Sequence, residues 1–421
     1  MTSMAQKASP IPLGAKPTTH VAEMLRIPSM TIHVFCNTPE TTSAIERAVA
    51  DRRMSRANTT LHPGGIAAGT ELYRRTASPN LVVVESQAPI AELHAQLNAL
   101  ADVCQTSTKV IVIGYANDVT VYRDLLSWGV SEYIVAPVEA ITIVGAISRL
   151  YQGNGTSKLG RSLAFVGAKG GAGSSTVATN VASMIARQKG CDVILTELDL
   201  PFGNASIDFN LDPAQGIAQA LQDPARLDDV LLERLLTKCE DHLSVLTAPA
   251  NLAQSYDLEE STFVRVIELA QASVPFVVLD VPHIWTSWAK KTLLMADDVI
   301  ITAMPDLANL RNAKNLAELL KEARPNDGPP KLVLNQVGAP KRSEINPAKF
   351  AAALEIEVIT CVPYEPSTMS KAANQGRMVA DTSASSAVAK SFAKIAQTFT
   401  GHTGAKSRWK NLFASGSLRR S

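Results

Sequence analysis

The sequence predicts an α/β protein made of two doubly wound parallel-sheet domains, and three observations predict it. Short apolar, β-branched runs alternate with longer helix-period segments from Met30 almost to residue 400. Such runs mark parallel strands covered by helices on both faces, where neither face meets water. The alternation breaks at Gln152-Gly-Asn-Gly-Thr-Ser-Lys-Leu-Gly160, which has three glycines and no apolar face and therefore serves as a linker. Beyond it, a strand runs through a glycine-rich turn into a helix, Phe165-Val-Gly-Ala-Lys169-Gly170-Gly171-Ala172-Gly173-Ser174-Ser175-Thr176, as the first strand of an open α/β sheet does. A chain of 421 residues with 46% hydrophobic content can fill two or three cores.

In chain order, residues 1–28 are rich in Pro, Ser, Thr and Ala without sustained periodicity, which predicts a disordered tail. Pro10, Pro12 and Pro17 interrupt it and deny it the continuous apolar core of a signal peptide. The first domain, 29–151, reads as strand Thr31–Cys36, helix Thr41–Asp51, strand Leu81–Val84, helix Ile90–Cys104, strand Lys109–Ile113, helix Val119–Trp128, strand Tyr133–Val135 and helix Ile141–Tyr151. After the linker, 152–161, the second domain, 162–401, opens with strand Ser162–Gly167, helix Ser175–Lys189, strand Val193–Thr196, helices Gly216–Leu221 and Leu227–Lys238, and strand Leu243–Leu246. It continues through helix Ser261–Ser273, strand Phe276–Leu279, helix Ser287–Met295, strand Asp298–Ala303, helix Leu307–Ala323, strands Lys331–Leu334 and Glu357–Val362, and helix Ser385–Phe399. The last segment, 402–421, carries Lys406, Arg408, Lys410, Arg419 and Arg420 and no acid, with Trp409, Leu412 and Phe413 at i, i+3 and i+4. One helical face there would suit an anionic membrane surface; the alternative is a frayed basic terminus.

A net charge of +1 argues against a nucleic-acid-binding surface, so no specific nucleic acid is expected. The five cysteines lie far apart with no C-x-x-C pair and read as buried thiols of a reducing compartment. No apolar run reaches the ~18 residues of a membrane span. A cytoplasmic protein is expected.

Chemistry concentrates in the second domain. Glycines 170, 171 and 173 let the backbone turn its N–H groups inward, and the helix from Ser175 presents its positive end, so the loop suits a nucleoside triphosphate. In the pattern G-x-x-x-x-G-K-[ST], Ala168 takes the first glycine's place and Ser174 the lysine's, while Ser175 keeps the hydroxyl that a bound Mg2+ requires. A charge-assisted hydrogen bond contributes about 1.5–3 kcal/mol, so the missing lysine weakens phosphate binding by roughly ten- to a hundredfold. Turnover suffers at least as much, because that lysine also meets charge developing on the transferred phosphoryl group. Asp199 follows the next strand and Asp280 ends Phe276-Val-Val-Leu-Asp280, where a ligand of magnesium's water shell must stand. For Asp199 the plainer alternative is a turn cap, and for Asn335 it is a strand-end turn residue.

These stretches resemble the ParA/MinD ATPases, whose loop is K-G-G-x-G-K-[ST]. The resemblance implies a nucleotide-sandwich homodimer with Lys169 reaching the partner's nucleotide, Asp199 activating the attacking water, Asp280 and Ser175 serving the metal, and Asn335 and Pro363 lining adenine. Glu197 stands for the first Asp of D-x-D and His283 for a proline. The first domain resembles a response-regulator receiver in layout: Pro79-Asn-Leu-Val-Val-Val-Glu85 matches P-D-[LI]-x-x-x-D, and Gly129-Val-Ser-Glu-Tyr-Ile-Val-Ala136-Pro137 matches G-A-x-x-Y-[LI]-x-K-P. Its reactive positions have become Glu85, Ala136, Gly114 and Cys36-Asn37, which implies an inert pseudo-receiver. Glu85 then either mimics a permanent phosphoryl charge or, the favoured reading, is a solvated carboxylate at a strand end.

The domain pair, with Gly216-Ile-Ala-Gln-Ala-Leu-Gln, Trp285-Thr-Ser-Trp288 and Pro305-Asp-Leu-Ala-Asn-Leu-Arg311-Asn-Ala-Lys-Asn, resembles the CpaE/TadZ pilus-assembly family over roughly residues 30–400. What it implies is an ATP- and Mg2+-binding dimer at a cell pole that recruits the Flp/Tad pilus secretion machinery, with weak or absent hydrolysis. The alternatives are a working ATPase that positions a cargo and a nucleotide-free scaffold.

Overall fold

The computed structural model describes residues 27–151, 159–213, 215–222, 226–253 and 256–401. Its contacts separate two compact units, Met1–Thr156 and Ser157–Ser421. Residues 1–26 of the expected N-terminal tail, most of the expected linker, and the basic segment with Trp409, Leu412 and Phe413 lie outside the described residues; Ile27, expected in the tail, is instead buried in the first unit's core and donates from N to Arg53 O at 2.9 Å.

The first unit runs β1 (Met30–Cys36), α1 (Pro39–Val49), β2 (Ala57–Pro63), α2 (Ile66–Tyr73), β3 (Leu81–Glu85), α3 (Ile90–Ala101), β4 (Lys109–Gly114), α4 (Val119–Ser127), β5 (Glu132–Val135) and α5 (Ala140–Tyr151). Its five strands pair in the order β2-β1-β3-β4-β5, every pairing parallel. Successive side chains of a strand face opposite ways. Leu81 and Val83 of β3 therefore enter a core with Ile32, Ile45 and Ile113, while Val82 and Val84 enter the opposite core with Phe35, Leu100 and Leu125. This double burial is why β3 reads as an unbroken apolar run.

Two elements of this unit were not expected, β2 and α2. Strand β2 is an edge strand paired only with β1, and its residues are half-buried or exposed along its length, so it carries no apolar run to announce it. Helix α2 contains Gly69 packed against the Phe35 ring, where an added Cβ would stand 3.3 Å from a ring carbon. That close approach puts a glycine where helix periodicity looks for an apolar side chain.

The second unit continues with β6 (Arg161–Gly167), α6 (Ser174–Lys189), β7 (Val193–Glu197), α7 (Ala205–Asp208), α8 (Ile217–Gln222), α9 (Asp229–Leu235), β8 (Thr237–Glu240), β9 (Leu243–Leu246), α10 (Val264–Ser273) and β10 (Phe276–Val281). Then come α11 (Ser287–Met295), β11 (Asp298–Ala303), α12 (Leu307–Ala323), β12 (Lys331–Val337), α13 (Pro347–Leu354), β13 (Val358–Pro363), α14 (Pro366–Asn374), α15 (Val379–Ser383) and α16 (Ala387–Thr400). The eight strands pair in the order β13-β12-β11-β6-β10-β7-β9-β8, all parallel except the β8–β9 edge. Strand β6 lies between β10 and β11, with Leu163, Ala164 and Phe165 wholly buried. Each large side chain so buried contributes about 1.5–3 kcal/mol, which makes β6 the rigid base from which the glycine loop leaves.

Three expectations are corrected. The helix expected over Leu227–Lys238 ends at Leu235, and Thr237–Glu240 turns back to pair antiparallel with β9. Helices α13, α14 and α15 were not anticipated; Pro347 and Pro366 at their starts mark the first two only once a helix is known to follow. Gly160 belongs to the second unit rather than to the linker: it donates from N to Gln271 O and accepts from Gln271 Nε2 at 2.8 Å.

All five cysteines are free, with Cys36 buried and the other four partly covered. No helix among the described residues is long and apolar enough to cross a membrane.

An added Cβ on Gly160 would fall 1.8 Å from the Val274 carbonyl oxygen. Gly160→Ala should therefore cost the second unit about 1–3 kcal/mol through overpacking. A melting temperature equal to that of wild type would show that β6 can shift to make room.

Candidate functional site

The loop between β6 and α6 is shaped by two glycines with left-handed backbone, Gly171 (φ +82°) and Gly173 (φ +85°), a conformation that side-chain-bearing residues rarely adopt. Gly173 is the N-cap of α6 and supplies no side-chain hydrogen bond, so the helix's first N–H groups stay available to an anion. The loop opens on a cleft of about 730 Å³ whose wall includes Lys169, Ser174, Ser175, Asp199, Phe202 and Trp288. Lys169 is exposed and has no acidic partner among the described residues. Ser174 Oγ, at the lysine's position, is buried without a hydrogen-bond partner.

Behind the loop stands Asp280, 5% exposed, with Oδ1 buried and unpartnered. Burial pushes its carboxyl up to about 7; the Ser175 hydroxyl draws it back, and Glu197, Asp199 and Asp208 push it further up. Among the described residues no cationic side chain pairs with it, and hard oxygen donors such as Asp280 and Ser175 fit Mg2+. Asp199 is half-buried at the cleft wall and accepts from Phe202 N at 3.2 Å, so it caps a turn and faces the cleft together. Burial raises its carboxyl above the ordinary value.

Glu197 is not in the cleft. It is 3% exposed, and its longer arm lets Oε1 accept from Ala205 N at 2.7 Å and Oε2 from Ala248 N at 2.8 Å. It clamps the start of α7 to the segment after β9. Gly203 is required beside it, since a Cβ there would lie 2.4 Å from Glu197 Cδ.

His283 shares a 2.8 Å hydrogen bond through Nδ1 with Gly167 O; the carbonyl can only accept, so Nδ1 carries the proton. Asn335 and Pro363 are not part of the cleft wall. Asn335 Nδ2 donates to Ala172 O at 2.8 Å, and its Oδ1 accepts from Gln336 N; Pro363 pairs with Val337 at the end of β13. Sequence reasoning missed Tyr256, Leu258 and Thr286 at the cleft and Asn312 behind the loop. The first two lie in an irregular segment with no periodicity to single them out.

In the first unit the solvated-carboxylate reading of Glu85 does not hold. Glu85 is 0% exposed and accepts five hydrogen bonds: from Asn37 N (2.6 Å), Thr38 N (2.9 Å), Thr38 Oγ1 (2.6 Å), Thr41 Oγ1 (2.7 Å) and the Tyr115 hydroxyl (2.7 Å). Burial alone would raise its carboxyl, but the hydrogen bonds from Thr38, Thr41 and Tyr115 prevail and hold it below the ordinary value. The carboxylate ties the ends of β1, β3 and β4 together. Cys36 beside it is pushed up to about 11, by burial first and then by the Glu85 charge.

Comparison with known proteins follows the same division. A model of the AAA domain family matches residues 160–329. The chain is 27% identical over 190 residues to the septum site-determining protein MinD of Bacillus subtilis, a match covering 42% of this chain and 66% of that protein. Its N-terminal part is 44% identical to the crystal structure of a pilus assembly protein CpaE from Caulobacter crescentus, covering 30% of this chain and 97% of that one, with a TM-score of 0.30. MinD of Pyrococcus horikoshii, solved with Mg-ADP, is 20% identical with a TM-score of 0.52, over 59% of this chain and 100% of that one, a likeness of fold.

Glu85→Ala would leave five donors without their acceptor and should lower the first unit's stability by about 2–4 kcal/mol. Because the folded-state carboxyl lies below its ordinary value of 4.5, the carboxylate's contribution is complete above that value and fades as pH falls through the folded one. The gap between the melting temperatures of wild type and Glu85→Ala should therefore narrow as pH falls below 4.5. A gap independent of pH would contradict this assignment.

Proposed function

This chain belongs to the CpaE-type pilus assembly proteins and carries a ParA/MinD-type ATPase domain, and from that premise we propose that it is an ATP-operated dimeric localisation factor for the Flp/Tad pilus machinery. The observation that carries the reading is the pairing of an uncapped α6 N-terminus with an orphaned carboxylate oxygen on Asp280 beside one cleft. The N–H groups of residues 170–176 hold the phosphates, and Ser175 and Asp280 are the residues that would hold Mg2+. Bound there, the metal supplies positive charge to the phosphate oxygens.

Lys169, without an acidic partner among the described residues, reaches across to a second copy's nucleotide, so that ATP closes a homodimer. Exposed Phe202 (65%), Ile284 (46%) and Trp285 (57%) offer apolar area beside the same cleft for that contact. Asp199 orients the attacking water; Ser174 supplies no charge to the transition state, so hydrolysis is slow or absent and the dimer behaves as a switch rather than a motor. Asn335 keeps one N–H for an adenine ring near Pro363. The receiver-like unit, whose Glu85 is buried and held by five donors, serves as an inert docking platform for pilus secretion components at a cell pole, and residues 402–421 provide peripheral membrane contact.

Calorimetric titration of ATP with Mg2+, with the oligomeric state followed by light scattering, tests this reading. Wild type should bind at micromolar ATP and dimerise, Lys169→Ala should lose the dimer, and Ser174→Lys should bind roughly ten- to a hundredfold tighter. Absence of binding at millimolar ATP in wild type would leave a nucleotide-free scaffold.

A further inference from the structure

Backbone N–H groups converge on an anion only if the carbonyls between them point away, and each outward carbonyl then needs a donor. In this loop three of those donors are side chains from three different elements. His283, after β10, bonds Gly167 O at 2.8 Å; Asn312, on α12, donates through Nδ2 to Ala168 O at 2.9 Å; and Asn335, on β12, donates to Ala172 O at 2.8 Å. Where a lysine would dominate phosphate binding, loose aim of the amides would matter less. Here Ser174 stands in that place and the amides carry the phosphate contact within the subunit, so their aim sets the affinity.

We propose that Asn312 and His283 are positioning residues of the phosphate loop, whose side-chain donors hold Ala168 O and Gly167 O outward and so fix the aim of the loop amides. Helix α12 is well fixed: its N-cap Asp306 accepts from Asn309 N at 2.9 Å, and Ala313, Ala317 and Leu320 are buried in the core. Asn312 projects from its second turn toward the loop. A groove of about 380 Å³ lies behind the loop, walled by Val166, His283, Trp285, Asn312 and Leu316. Both positioning side chains thus stand between that groove and the loop carbonyls, and any displacement of α12 reaches Ala168 through a single hydrogen bond. Asn315 lines the same groove but makes no bond to the loop, which supplies a control.

The proposal deepens the nucleotide reading above and rests on it for one of two measurements. Asn312→Leu keeps the side chain's size without its donor, and His283→Phe keeps the ring without Nδ1–H. Hydrogen exchange of the full chain without nucleotide should quicken in the peptide spanning residues 166–174 in both variants, with melting temperatures and other peptides unchanged, and should stay at the wild-type rate in Asn315→Leu. ATP affinity should fall roughly three- to tenfold in both variants and hold in the control. Wild-type exchange in the loop of both variants would overturn the proposal whether or not ATP binds. Faster exchange in a protein that binds no ATP would instead sustain the positioning role and remove the nucleotide reading.

Discussion

A carboxylate delivered to the end of a buried parallel strand must find donors or a cation, and this constraint organises both units. Three strands here end on such a group. At the end of β3, Glu85 is surrounded by five donors. At the end of β7, Glu197 spans two amides, one at the start of α7 and one after β9. At the end of β10, Asp280 keeps a buried oxygen that nothing in the described chain satisfies. The first two are closed accounts that make rigid joints; the third remains open, and the phosphate loop lies directly before it. Polar satisfaction therefore sets Asp280, the candidate metal ligand, apart from the two satisfied acids more sharply than their positions in the strands do.

Much of this was legible in the sequence wherever burial on two faces leaves a continuous apolar run. Strand β11 and helices α11 and α12 have the very bounds that pattern reading assigns. Legibility fails at edges and in sequences governed by tertiary contacts. Strand β2 is polar because it has one neighbour, and β8 follows a helix without a break because Leu235 and Leu236 suit either state.

The site was legible as a set of residue types rather than as geometry. Glycine spacing, Ser175 and the strand-end acids identify the loop, and the fold places Lys169, Ser174, Ser175 and Asp199 around one cleft. What local sequence cannot express is long-range satisfaction. Glu85 depends on threonines more than forty positions away, Asn312 lies 144 residues from the carbonyl it holds, and Asn335 spends on the loop a donor that its strand-end position offers to a base.

Glu197 and Gly203 form a pair whose members constrain one another. Glu197 reaches Ala205 and Ala248 past a position that has no Cβ; a side chain at 203 would stand 2.4 Å from the Glu197 carboxyl carbon and 2.6 Å from the Ala248 Cβ. Position 203 is therefore closed on two sides, by the acid and by the segment the acid holds, and shortening the acid alone would not reopen it.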